Sequence, residues 1–123
     1  MRRLTVSFVI LAAATCLYCA KEPAPRVVFS CSPENDLYQV VQANGIATAR
    51  YDSPLEAVTA APEGAAVLIL ADGYPEQKTP VDSTVYRLWA QRNLRLYVEF
   101  PAALPGGKTG RIHRTRWERA VVT

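Results

Sequence analysis

The chain has 123 residues, half of them hydrophobic and a fifth charged, with a formal net charge of +3. That length holds one domain and leaves no room for a second once a targeting segment is set aside. The composition is too apolar and too weakly charged for an intrinsically disordered chain, so a packed core is expected.

Arg2 and Arg3 precede an apolar run from Leu4 to Ala20, and a polar, proline-containing stretch from Lys21 to Pro25 follows. A basic start, an apolar middle and a polar exit form the layout of a secretory signal, so residues 1–20 read as a signal helix and 21–25 as a linker. The run lies at the short edge of the roughly 17 to 25 residues that a membrane span needs, which leaves a retained N-terminal anchor as the alternative. Membrane contact is confined to this segment, and the rest is expected in the periplasm, on the outer-membrane surface or outside the cell. Cys16 and Cys19 stand where a lipoprotein cysteine would, but Ala13-Ala14-Thr15 and Cys16-Leu17-Tyr18 fit a small-residue lipidation box poorly. With the signal removed, Cys31 is the only cysteine, so neither an internal disulfide nor a cysteine zinc cage can form.

From Arg26 to Pro105 two kinds of apolar pattern alternate. Val27-Val28-Phe29-Ser30 is a short β-branched and aromatic run, and Ser32 is placed to cap a first helix with Pro33 at its first position. Leu37, Val40 and Val41 recur at helical spacing, and Asn44-Gly45 supplies a left-handed exit. A weaker strand follows at Thr48 to Tyr51. Ser53-Pro54-Leu55-Glu56 then starts a second helix with a capping serine, a proline at the first turn and a glutamate three residues after the cap. Leu55, Val58 and Thr59 continue its face until Pro62. Ala66 to Ala71 (AVLILA) is a continuous apolar run, as suits a strand covered on both faces. A third helix begins after Asp82 or Ser83, turns Val85, Leu88 and Trp89 inward and ends near Asn93. Leu94 to Phe100 (LRLYVEF) is the fourth strand. The β-α-β-α-β-α-β order with short links predicts right-handed crossovers and an α/β fold. Its expected form is an open parallel sheet of about four strands, order 2-1-3-4, flavodoxin-like, with helices on both faces.

In such a sheet the loops beyond the carboxyl ends of the strands form the ligand crevice. Those positions hold Ser30, Cys31 and Ser32 after strand one, Asp52 after strand two, Asp72-Gly73-Tyr74 after strand three and Glu99 at the end of strand four. Cys31, Asp72 and Glu99 are the candidate catalytic groups, as a thiol nucleophile and two carboxylates on one edge. Against that chemistry, Ser32 and Asp52 have capping work, Asp72-Gly73 is ordinary turn chemistry and a small cysteine at a buried edge is usually inert. His113, the single histidine, lies beyond the last strand, so no Ser-His or Cys-His pairing follows from spacing.

Ala102 to Thr109 (AALPGGKT) matches a loose phosphate-loop pattern after a strand, with Gly107, Lys108 and Thr109 as candidate nucleotide contacts. Ala102 stands where the first glycine belongs, Pro105 removes a backbone donor, and Gly110 weakens the helix that should begin there. A plain Pro-Gly loop is the better reading, and no cofactor is expected. Residues 106–123 form a basic tail in which Lys108, Arg111, Arg114, Arg116 and Arg119 face Glu118 alone. The domain itself carries no aromatic-interleaved basic face, so nucleic acid is not the expected partner. Trp117 and Ala120-Val121-Val122-Thr123 are too apolar for a free end. They read as the start of a strand in a longer protein, and the tail as a loop packed on further protein.

The segments VVFSCSPENDLYQVV, AVLILADGYP, LRLYVEFPAALPG and RWERAVV span Val27 to Val122, nearly all of the chain after its signal. They resemble the N-terminal domain of long exported bacterial proteins associated with polysaccharide breakdown, a domain itself similar to class I glutamine amidotransferases. Active members of that enzyme class carry a cysteine at the sharp turn after a central strand, where this chain has Ala71-Asp72-Gly73. They also need a later histidine and glutamate that this sequence does not supply, so no catalytic residue carries over. The resemblance implies a non-catalytic accessory domain, part of a longer chain, whose partners are the following domains or a glycan. The alternatives are a small periplasmic hydrolase or amidotransferase-like enzyme using Cys31 or the strand-edge carboxylates, and a nucleotide-binding protein using the AALPGGKT loop.

Overall fold

A computed structural model describes residues 24–113. The signal segment 1–20 and the tail from Arg114 onward lie outside the described residues, and so do Cys16, Cys19, Trp117 and the 120–123 run. Four strands, β1 (Val27–Ser30), β2 (Thr48–Tyr51), β3 (Ala66–Ile69) and β4 (Arg95–Val98), alternate with α1 (Asp36–Ala43), α2 (Pro54–Ala60) and α3 (Ser83–Gln91). All neighbouring strands are parallel, in the order β2-β1-β3-β4. The expected topology is therefore present, with β3 and β4 shorter than the apolar runs that contain them.

The strand order dictates how helices are shared between the faces. The chain moves one way from β1 to β2 and the other way from β2 to β3 and from β3 to β4. Crossovers of one hand then put α1 on one face and α2 with α3 on the other. The larger core lies under the pair: Ala57, Val58 and Ala61 of the α2 region pack with Val28, Val67, Ile69, Val85 and Leu94. Arg92, the α3 C-cap, fastens the two helices by donating to the carbonyls of Val58 (2.9 Å) and Thr59 at the end of α2. Those carbonyls have no partner within their own helix, so the guanidinium completes the terminus. On the opposite face α1 covers Phe29 with Tyr38 and Val41, beside Cys31 and Leu70. No residue of α1 is buried.

Two helix assignments are corrected. α1 is capped by Asn35, whose side chain accepts from the Tyr38 N–H, and not by Ser32. Ser32 instead closes a turn, its carbonyl accepting from Asn35 N–H and its hydroxyl donating to the Glu34 carboxylate, so Pro33 lies in that turn. The apolar face of α1 is Tyr38 and Val41, while Leu37 and Val40 are 44% and 58% exposed. In α2 the Ser53 cap and Pro54 hold as expected, with the Glu56 N–H donating to Ser53 Oγ. The buried face there is Ala57 and Val58, and Leu55 and Thr59 are exposed. Asp82 caps α3 by accepting from the Thr84 N–H, and Val85 is its buried residue.

Candidate functional site at the strand edge

Because all four strands run the same way, their carboxyl ends share one edge. β1 and β3, whose onward chains leave in opposite directions, are adjacent at the switch point. A cleft of about 250 Å³ opens there, with Cys31, Asp52, Asp72, Gln77 and Lys78 in its walls. The topology thus brings together Ser30, Cys31, Asp52, Asp72 and Gly73 as the sequence predicts. Glu99 lies on the far side of β3 and lines a separate groove.

The charged groups of this edge are occupied in a regular way, since each adjacent pair of strand exits is joined by one side chain bonding to neighbouring backbone. From β2, Arg50 donates to the Cys31 carbonyl at 2.8 Å. From the loop after β3, Asp72 Oδ2 accepts from the Ser32 N–H at 2.7 Å. From the end of β4, Glu99 Oε2 accepts from the Ala71 N–H at 2.9 Å. Backbone amides beyond the last ladder bond have no strand partner, and these carboxylates supply one with a charge-assisted bond. Arg50 also pairs with Asp52 at 2.5 Å, the Asp52 side chain remaining 82% exposed. Asp52 therefore partners Arg50, and the helix cap expected of this loop is provided by Ser53.

Cys31 is 4% exposed. Burial, reinforced by the negative charge of Asp72 and opposed by the Arg50 cation, pushes its thiol up from 9.0 to about 11. The nucleophilic form is the thiolate, which this environment suppresses. Among the described residues no cluster of His, Cys, Asp and Glu side chains is arranged to hold a metal ion, and His113 is exposed.

The AALPGGKT segment forms a tight turn in which the Gly107 N–H donates to the Leu104 carbonyl and Gly106 takes a positive φ of 68°. Residues 108–113 form neither helix nor strand, so no helix N-terminus faces the turn. The Thr109 hydroxyl donates to the Ala102 carbonyl at 2.6 Å and accepts from Lys78 Nζ at 2.9 Å. Lys78 also donates to the Gly110 carbonyl. Gly107 and Lys108 are exposed on this turn, and Thr109 serves as a tie.

Arg50, Gln77 and Lys78 are the site residues that sequence reasoning misses. The only sequence signal for Arg50 is its placement two residues before Asp52 at a strand end. Gln77 and Lys78 come from the long connection between β3 and α3, which folds back over the edge through Thr79, whose N–H donates to the Phe100 carbonyl at 2.9 Å. At the start of that connection, Tyr74 is half exposed and meets Phe100 edge to face, ring centroids 5.2 Å apart. No family model matches the chain, and neither a curated protein nor a solved structure matches it.

Proposed function

We propose that this chain is a non-catalytic accessory domain of an exported protein that handles polysaccharide, belonging to a longer chain and binding glycan hydroxyls in the switch-point cleft. The observation that carries this reading is the employment of the edge groups. Asp72 and Glu99 hold loop amides, and Cys31 is buried with its thiol held neutral. A hydrolase or amidotransferase would need such groups free to reach substrate within hydrogen-bond range. The cleft wall keeps two solvent-facing polar groups, the Asp52 carboxylate, which pairs with Arg50 and stays 82% exposed, and the exposed amide of Gln77. Those are hydrogen-bond donors and acceptors, the chemistry that orients a polyhydroxylated ring without attacking it. The strand order is that of flavodoxin-like domains, which bind ligands at this crevice. The signal-like segment 1–20 supports export.

The test is co-sedimentation of the domain with insoluble polysaccharides, together with assays for released reducing sugar and ammonia. Binding that weakens in Gln77→Ala, with no product released, is the expected result. Turnover that disappears in Asp72→Ala or Glu99→Ala overturns the reading.

A further inference from the structure

β4 ends the sheet, with β3 on one side and no strand on the other among the described residues. The Arg95 N–H donates to the Ala65 carbonyl and the Glu99 N–H to the Ile69 carbonyl, both at 2.9 Å. Backbone groups alternate in direction along a strand, so Leu96 and Val98 turn their N–H and C=O groups away from β3. Those groups have no partner among the described residues, and such an open row is a template for another strand. The row is bounded at both ends. The Leu94 carbonyl already accepts from Trp89 Nε1 at 2.8 Å, and Phe100 takes a positive φ of 48° that turns the chain beside Thr79. Arg95, Tyr97 and Glu99 share the face that carries α1, because Tyr97 is paired with Leu68, which packs on that side. Arg95 is exposed and Tyr97 is 55% exposed. Among the described residues the one ion pair is that of Arg50 with Asp52, so Arg95 meets no carboxylate there.

We propose that two copies of this chain pair through β4, antiparallel about a two-fold axis at Tyr97, so that their four-stranded sheets join into one. In that register Leu96 faces the partner's Val98 and Val98 faces the partner's Leu96. Each of these pairs exchanges two N–H···O=C bonds, which satisfies every open group of both edges. Arg95, Tyr97 and Glu99 then take the non-hydrogen-bonded positions, where opposed side chains approach most closely. Arg95 faces the partner's Glu99, Glu99 faces the partner's Arg95, and the two Tyr97 rings meet at the axis. A strand that is basic at one end, aromatic at its centre and acidic at the other is thus complementary to a second copy of itself, as a two-fold interface requires. Within one chain Arg95 and Glu99 lie about 13 Å apart along the strand, too far to pair. Moving the axis by one residue would set Arg95 or Glu99 against the partner's Tyr97, so the charges select this register. Glu99 holds the Ala71 N–H through Oε2, and Oε1 is the atom it offers across the axis. The proposal is independent of what the switch-point cleft binds.

The experiment is disulfide trapping in the full chain carrying Cys16→Ser and Cys19→Ser, where the buried Cys31 is the remaining thiol. Opposed non-hydrogen-bonded residues have Cα atoms about 4.5 Å apart, within disulfide range, whereas the two copies of position 95 would be separated by at least about 13 Å, outside it. In a glutathione redox buffer Tyr97→Cys is expected to form a linked dimer at least about tenfold more efficiently than Arg95→Cys. Both side chains are exposed, so these variants keep the core intact. Adding Arg95→Glu sets like charges opposite each other and is expected to lower the Tyr97→Cys yield several-fold. Sedimentation velocity of the chain with Tyr97 in place supplies a second readout. A dimer fraction that grows over about a hundredfold range of concentration, and that falls in Arg95→Glu, is expected. Equal linkage at the two positions, no linkage at position 97, a dimer indifferent to Arg95→Glu, or a native chain that stays monomeric throughout that range overturns the proposal.

Discussion

Alkylation of Cys31 separates a buried structural thiol from a nucleophile. In the chain without residues 1–20 it is the sole cysteine, so labelling reports it alone. Raising the thiol from 9.0 to about 11 makes the thiolate about 100-fold rarer at neutral pH than in the unfolded chain. Burial to 4% exposure adds a second barrier, because the reagent must wait for local opening of the β1 exit, which Arg50 and Asp72 hold at the adjoining backbone. The expected rate with iodoacetamide at pH 7.5 is therefore at least about 100-fold below that of the same chain in urea, with a pH profile still rising at pH 10. Labelling within tenfold of the unfolded chain, or a profile that levels off below pH 8, would refute this assignment and restore Cys31 as a nucleophile.

The unequal cover of the two faces predicts unequal costs of truncation. Val58→Ala removes two fully buried carbons at about 0.8 kcal/mol each and leaves a cavity, for a loss of about 2–3 kcal/mol in urea unfolding. Val40→Ala, at a side chain 58% exposed, is expected to cost less than about 0.5 kcal/mol, and equal costs would contradict the helix placement. Glu99→Ala orphans the Ala71 amide and should cost about 1–2 kcal/mol, with Glu99→Gln restoring most of it and amide exchange at Ala71 reporting the loosening. Stability should also depend on pH at both ends of the scale. The Cys31 thiol is raised in the fold, so the stability it contributes is intact below pH 9 and is lost as pH rises toward 11. The Asp82 carboxyl is lowered by its bonds to Thr84, so its contribution is present above the ordinary carboxylate range and disappears as pH falls through the lowered value. Denaturant titrations across pH, with Asp82→Asn flattening the acid limb, check both signs.

The alternation of strands and helices was legible because its signals are local. AVLILA is too short for an ordinary helix and too apolar for a loop, and Ser53-Pro54 is a cap whose bonds are made within one turn. The α1 start was less legible, because Ser32-Pro33 and Asn35 both read as caps and the choice depends on the turn that Ser32 closes with Asn35 and Glu34. The inward face of α1 was also ambiguous. Leu37 with Val40 and Tyr38 with Val41 both have helical spacing, and only the position of Phe29 beneath the helix selects the second pair. At the site, topology placed Cys31, Asp72 and Glu99 on the correct edge. Their employment was not legible, because the partners of Asp72 and Glu99 are backbone amides 40 and 28 residues away. A backbone amide leaves no mark in a sequence.

The central claim is that the switch-point cleft binds and does not react. Amide chemical-shift mapping with soluble oligosaccharides tests it most directly, since one set of spectra reports the binding surface and the integrity of the ligand. The account predicts shifts concentrated at Cys31, Ser32, Asp72, Gly73, Gln77 and Lys78 with the sugar resonances conserved over days. Shifts confined to other surfaces, no shifts with any glycan, or the growth of product resonances would contradict it.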